Sequence, residues 1–188
     1  MIFKKVKKFV DEARPDFPAH YQNTVDWLLR LYPEADEVMQ AAAYAHDIER
    51  AFRDKNEKNI FVFQQINTDD PSYLKIHQEK GARIIKDFLE NENFSKNEVE
   101  RVNNMVLHHE EGGDFESDLI KDADSLSFFD VNALGFTDKF FLEIGFEKIK
   151  GKFEFMLNRI SSAEAKKLAK PLYEKALNSL NLKVSKQG

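Results

Sequence analysis

AAYAHDIERAF, residues 42–52, runs small and apolar residues into an imidazole, two carboxylates and a guanidinium within a few positions. Ala41, Ala45, Ile48 and Phe52 recur at helical spacing, with Ala42, His46, Glu49 and Arg53 alongside, so a helix is predicted from about Glu34 to Phe52. Its alanines leave room for another helix to approach closely. Burial on such a helix disfavours His46, Asp47, Glu49 and Arg50, unless something compensates their polarity.

The same periodicity extends outward in both directions. Pro18 suits the start of a helix that carries His20, Thr24, Trp27 and Leu31 on one stripe and ends near Tyr32-Pro33. Beyond the central stretch, RDKNEKN is charged and loop-like, IFVFQQI is short and apolar, and the region 53–72 has room for a short extra helix. Asp54, Asp69 and Asp70 read as turn and capping residues. A helix from Ser72 places His77, Gly81, Ile84 and Phe88 on one face, and Ser95 to Glu98 forms a capping box for the next. That next helix aligns Val99, Val102, Val106 and His109 before Gly112 and Gly113 stop it. KDADSLSFFDV belongs to a further helix from about Ser117, and two amphipathic, lysine-rich closing helices follow over about 136–182. The expectation is an all-α, multi-helix single domain over 1–188, with its motifs between about 17 and 130.

Composition narrows the activity. The 28 basic and 33 acidic residues give a formal charge of −5, which disfavours broad nucleic-acid or anionic-membrane surfaces as the main partner. With no cysteine, thiolate sites and disulfides are excluded, so any metal must be held by histidine and carboxylate. No run of about 18 apolar residues and no signal-peptide pattern is present, and a cytoplasmic location is expected.

All five histidines lie between positions 20 and 109, and His20, His46, His77 and His109 project onto apolar helix faces. One such histidine is usually a packing residue; four on separate helices call for another reason. Adjacent side chains on a helix diverge by about 100°, so His46 and Asp47 reach a common ion only over the edge between them. His20 and a carboxylate from a later helix would complete a His, His, Asp, Asp sphere, suited to Mn, Fe, Co, Ni or Mg ions.

His20 in FPAHYQNT, His46 and Asp47 in AYAHDIER, and Asp124 in IKDADSL follow one another in an order that resembles the HD-domain metal-dependent phosphohydrolases. HQEKGA at 77–82 and VLHHE at 106–110 look like the histidine motifs many such proteins carry between the pair and the final aspartate. The resemblance implies an HD-type fold, a divalent metal cofactor held by His20, His46, Asp47 and Asp124, and hydrolysis of a phosphate ester or anhydride. Asp124 is preferred over Asp122 because the family's last ligand usually sits in an Ala-Asp-x-Leu context, here Ala123 to Leu126. Asp122 is then an outer or solvent-facing acid.

Several roles follow as expectations. Asp47 takes part in catalysis, Glu49 orients the attacking water, and Arg50 binds phosphate as a fork. His77 and His109 are substrate contacts, ligands of a second ion or supports, and Lys80, one turn after His77, is a candidate phosphate contact. His108 is as well explained by the surface as by the substrate. Phe128, Phe129, Phe136, Phe140, Phe141, Phe146, Phe153 and Phe155 form either core or the wall of a nucleobase pocket. The substrate expected is a small phosphorylated molecule, foremost a nucleotide. The alternatives are a two-metal cyclic-nucleotide or dinucleotide phosphodiesterase and a non-catalytic metal-binding sensor or scaffold. The Glu-Asp pair of the alarmone subgroup is missing, since Glu49 is followed by Arg50.

Overall fold

Capping chemistry sets where the helices begin. Asp36 accepts from the Val38 and Met39 backbone N–H groups at 3.0 and 2.9 Å, and α3 (Glu37–Ala45) starts there. Asp70 does the same for Ser72 and Tyr73 at the start of α4 (Pro71–Asn91), as its reading as a capping residue predicts. The Ser95–Glu98 capping box opens α5 (Lys96–Leu107), and Asp114 caps α6 (Phe115–Ser127). The computed structural model describes residues 1–15, 18–53 and 70–185, and every regular element among them is helical. Asp54, Asp69, most of the predicted loop and any short helix in it lie outside the described residues.

No helix is predicted over the N-terminal segment, yet Ile2–Ala13 forms α1. Ile2, Val6 and Val10 recur every four residues, bury completely or nearly so, and pack on α3. Helix α2 (Pro18–Leu31) matches its predicted limits and packs on α3 and α6.

The predicted helix over 34–52 is interrupted at its most polar point. Helix α3 ends at Ala45, and after His46 and Asp47 the chain makes one 3-10 turn, Ile48–Ala51. His46 Nδ1 lies 2.8 Å from the Ala43 carbonyl, so the ring takes up an acceptor that continuation of the helix would offer to the Asp47 N–H. The change of path turns His46, Asp47, Ile48 and Glu49 into the interior together. Helix α5 likewise stops at Leu107, which leaves His109 in a buried turn instead of on a helix face. Gly112 is needed in that turn: φ is +77°, and a Cβ would fall 2.0 Å from Asp118 Oδ1.

After α6 a single π-helical turn (Phe128–Asn132) leads into α7 (Ala133–Asn158), which bends at Gly145 where φ is +78°, and then α8 (Ala163–Ser185). The main core lies among α1, α2, α3, α5 and α6 around Tyr21, Leu28, Tyr44, Met105, Ile120 and Leu126. A second apolar cluster joins Phe128, Phe129, Phe141 and Phe153 to Ala176 and Leu180 of α8. Part of the aromatic group is therefore core.

Candidate metal centre

Three chain segments meet through His20, in the first turn of α2, His46, after the end of α3, and Asp124, on α6. His20 Nε2 and His46 Nε2 stand 3.1 and 3.2 Å from Asp124 Oδ1. A second group forms from Asp47, His77 of α4 and His109: His77 Nε2 is 3.0 Å from Asp47 Oδ1. In each trio the donor atoms lie within 4.8 Å of one another, and all six residues are buried. The two trios adjoin, with the His46 and His109 ring centroids 5.4 Å apart and Asp47 Oδ2 3.8 Å from His46 Nε2. Buried His/Asp groups positioned to hold a metal ion are thus present. Asp47 groups most closely with His77 and His109, and reaches toward the predicted His20, His46, Asp124 set from its edge.

All four rings are oriented alike. His46 Nδ1 donates to Ala43 O at 2.8 Å, and His109 Nδ1 donates to Val106 O at 2.7 Å, because a carbonyl only accepts. The Ser127 hydroxyl donates to His20 O at 3.1 Å, so at 2.9 Å it accepts from His20 Nδ1. His77 Nδ1 faces Glu49 Oε2 at 2.7 Å. Each ring consequently turns Nε2 inward; among the described residues that of His109 has no hydrogen-bond partner, and that of His46 meets only the Asp124 and Asp47 carboxylates. Inward Nε2 atoms backed by oxygen acceptors, together with carboxylates, fit an ion that takes mixed nitrogen and oxygen donors.

Electrostatics sharpen the contrast. Burial works against the His46 imidazolium, but the Asp124 and Asp47 charges outweigh it and raise the pKa. For His77 burial is likewise outweighed, by hydrogen bonds to Asp47 and Glu49. Burial wins at His20 and at His109, which falls to about 4 and keeps its ring neutral. Burial would raise the carboxyls, yet Arg50, His46 and His77 hold Asp47 well below the usual carboxylate range, as Arg159, His46 and His20 do for Asp124. Glu49 drops to about 2, since His77 and Arg53 outweigh its burial.

The remaining predicted residues fall into different places. Arg50 Nε pairs with Asp47 Oδ1 at 2.8 Å and lines the cavity above the two groups. Glu49 sits behind His77 and takes a bifurcated hydrogen bond from Arg53 Nε, 2.9 Å to each oxygen. Lys80, half-buried, is not among the described residues lining the cavity. His108 caps the end of α5 and is half-buried, whereas His109 is wholly so. Asp122 is not solvent-facing: it is buried and accepts from the Ser161 and Ser162 N–H groups at 2.7 and 2.9 Å, which fixes the start of α8.

The cavity encloses ≈ 770 Å³. His20, Asp47 and Asp124 form part of its floor; Arg14, Arg50, Arg53, Lys139 and Lys152 bring positive charge to it, and Phe128, Phe136 and Phe140 bring aromatic surface. A family described as a domain of unknown function, DUF4202, matches residues 5–180. This chain belongs to the DUF4202 family. No curated protein and no solved structure matches it.

In this DUF4202 chain, three important charged residues carry no sequence motif. Arg159, at the end of α7, binds both Asp124 and Glu110 with a side chain that is almost completely buried. Glu110 is placed by its own N–H, which donates to Gln78 Oε1 at 2.9 Å. Lys152 enters from the far half of α7. The one available signal is that Glu110 follows His109 directly; Arg159 and Lys152 lie on an amphipathic, lysine-rich segment where charge normally marks solvent. Among the described residues, no helix is long and apolar enough to cross a membrane.

Proposed function

We propose that this DUF4202 chain is a metal-dependent phosphohydrolase acting on a small phosphorylated molecule, with nucleotides as the first class to test. The observation that carries the reading is the pair of adjoining His, His, Asp groups under a cavity whose walls combine cations with aromatic rings. The arrangement resembles the HD-domain ligand order; among the described residues the buried Nε2 of His109 has no hydrogen-bond partner, and that of His46 meets only carboxylate oxygens.

His20, His46 and Asp124 would hold one ion, with Asp47 at its edge. A divalent ion supplies hydroxide from water near neutral pH and neutralises charge developing on a phosphoryl oxygen. Arg50 binds phosphate oxygens while its Nε keeps Asp47 ionised. Glu49 accepts from His77 Nδ1 and so orients that ring; this replaces the water-positioning role as its part in the proposal. Phe136 and Phe140 offer a stacking surface for the planar part of a leaving group. A cytoplasmic site of action belongs to this reading, because small phosphorylated metabolites are concentrated there.

A two-ion phosphodiesterase is the second reading, favoured by the Asp47, His77, His109 group beside the first. Both are tested by presenting nucleoside mono-, di- and triphosphates, cyclic nucleotides and generic phosphate esters to metal-free protein resupplied with Mn²⁺, Co²⁺, Ni²⁺ or Mg²⁺. Turnover that needs metal and is lost in Asp47→Ala supports hydrolysis, and the preferred ester separates the two readings. Metal binding without turnover of any substrate would favour the sensor or scaffold.

A further inference from the structure

Among the described residues, the ion pairs beside the centre take up three arginines and leave Lys152 without a carboxylate partner. Arg50 is paired with Asp47, Arg53 with Glu49, and Arg159 with both Asp124 and Glu110. Lys152 lines the same cavity, half-buried, and among the described residues it makes neither a hydrogen bond nor an ion pair. Its ammonium rests near two ring faces, 4.9 Å from the Phe155 centroid and 5.9 Å from that of Phe128.

A desolvated ammonium with no counterion is costly, so its position in a cavity wall calls for an anion. Burial lowers Lys152 to about 8, with Glu110 acting against the shift and Arg159 and Arg50 adding to it, and at neutral pH the side chain remains mostly charged. Charge matching indicates which anion. The carboxylates Asp47, Glu49, Glu110 and Asp124 are matched in number by Arg50, Arg53, Arg159 and Lys152, Arg14 and Lys139 add further positive charge to the cavity, and any divalent ion adds two more. In so positive a site a phosphate monoester dianion is held more strongly than a diester monoanion.

We propose that Lys152 is a substrate-binding residue that, with Arg50, receives the non-bridging oxygens of a dianionic phosphate monoester and favours monoesters over diesters. The proposal rests on the phosphohydrolase reading for its metal, and it concerns anion recognition, which can be measured without turnover. Lys152 differs from Arg50 in having no carboxylate to release before it meets the ligand. Its compact, flexible charge also suits a single phosphate oxygen better than a planar fork does.

The test uses the full chain loaded with Mn²⁺ and three probes: inorganic phosphate, methyl phosphate and dimethyl phosphate. Calorimetry on wild type, Lys152→Met and Lys152→Arg gives affinity, and thermal melts give stability. The expected result is methyl phosphate bound about tenfold or more tightly than dimethyl phosphate, with phosphate and methyl phosphate weakened about tenfold in Lys152→Met. Lys152→Arg should recover most of the loss, and Lys152→Met should keep its Mn²⁺ affinity and melt no lower than wild type, because it removes a half-buried charge that has no ion pair among the described residues. Equal phosphate affinity in wild type and Lys152→Met, equal binding of the two esters, or no phosphate binding by the loaded wild type overturns the proposal. Turnover is scored separately. Hydrolysis indifferent to Lys152 keeps the phosphohydrolase and removes this role; Lys152-dependent phosphate binding with no hydrolysis of any ester keeps the anion site and removes the enzyme.

Discussion

Nε2 of His46 faces Oδ1 of Asp124 across 3.2 Å while Nδ1 of the same ring donates to the Ala43 carbonyl. With Nδ1 committed as the donor, a neutral ring would present a lone pair to a carboxylate oxygen. Those atoms repel unless a proton or a cation lies between them. The same relation holds between His20 Nε2 and Asp124 at 3.1 Å.

A metal ion should therefore stabilise the fold measurably. For the metal-free protein, Mn²⁺, Co²⁺ or Ni²⁺ at about one hundred times its Kd should add roughly 2.7 kcal/mol to the unfolding free energy. Differential scanning calorimetry should show this rise in wild type and its loss in His46→Ala. A melting temperature indifferent to every ion tested would sink the metal centre.

The pH dependence of ion binding has a definite sign. His46 and His77 have raised pKa values, so the stability their imidazolium forms contribute to the metal-free protein is fully present below about 6.5, their unperturbed value, and is lost as pH rises through the folded pKa. An ion at either trio needs that trio's raised histidine, His46 or His77, deprotonated at Nε2. Metal affinity should consequently increase with pH, and binding near pH 6.5 should release protons, measurable from calorimetric enthalpies in buffers of differing ionisation heat.

Asp122 and Asp124 should separate cleanly. Asp122→Ala removes the acceptor for Ser161 and Ser162 N–H and should cost about 1–3 kcal/mol of stability with metal affinity unchanged. Asp124→Ala should abolish binding at the first group, which includes His20 and His46. Equal loss of metal in both variants would contradict the assignment.

The second trio predicts stoichiometry. Under the two-ion reading, elemental analysis of wild type should give two ions per chain under saturating metal, falling to one in His109→Ala while the His20, His46, Asp124 ion stays. One ion in wild type at saturation would restrict His77 and His109 to supporting or substrate-contacting roles.

Gly112 offers a test of the turn that brings Glu110 to Arg159. Ala at this position meets both a left-handed backbone and the Asp118 and Lys121 side chains, at 2.0 and 2.4 Å from the added carbon. Gly112→Ala should destabilise the fold by more than about 1 kcal/mol, the usual conformational cost alone, as read by urea denaturation.

The sequence makes the helical character of the chain and most of its helix starts legible, because capping and apolar periodicity are local chemistry carried by residues such as Asp70, Ser95 and Glu98. It also singled out His20, His46, His77 and His109, since imidazoles on separate apolar helix faces need a common explanation, with Asp47 beside His46; Asp124 came from the resemblance to the HD-domain order. The break after Ala45 was not legible: AAYAHDIERAF has good helical periodicity, and only packing decides that His46 turns back on Ala43 while Asp47 and Glu49 go inward. The division into two trios, the direction of every Nε2 and the role of Asp122 likewise depend on which helices touch. Arg159, Glu110 and Lys152 were least visible, because a lone charge on an amphipathic segment has the same local pattern in water or in a cavity wall. Tertiary structure alone fixes which environment it meets, and so which charges remain to bind a ligand.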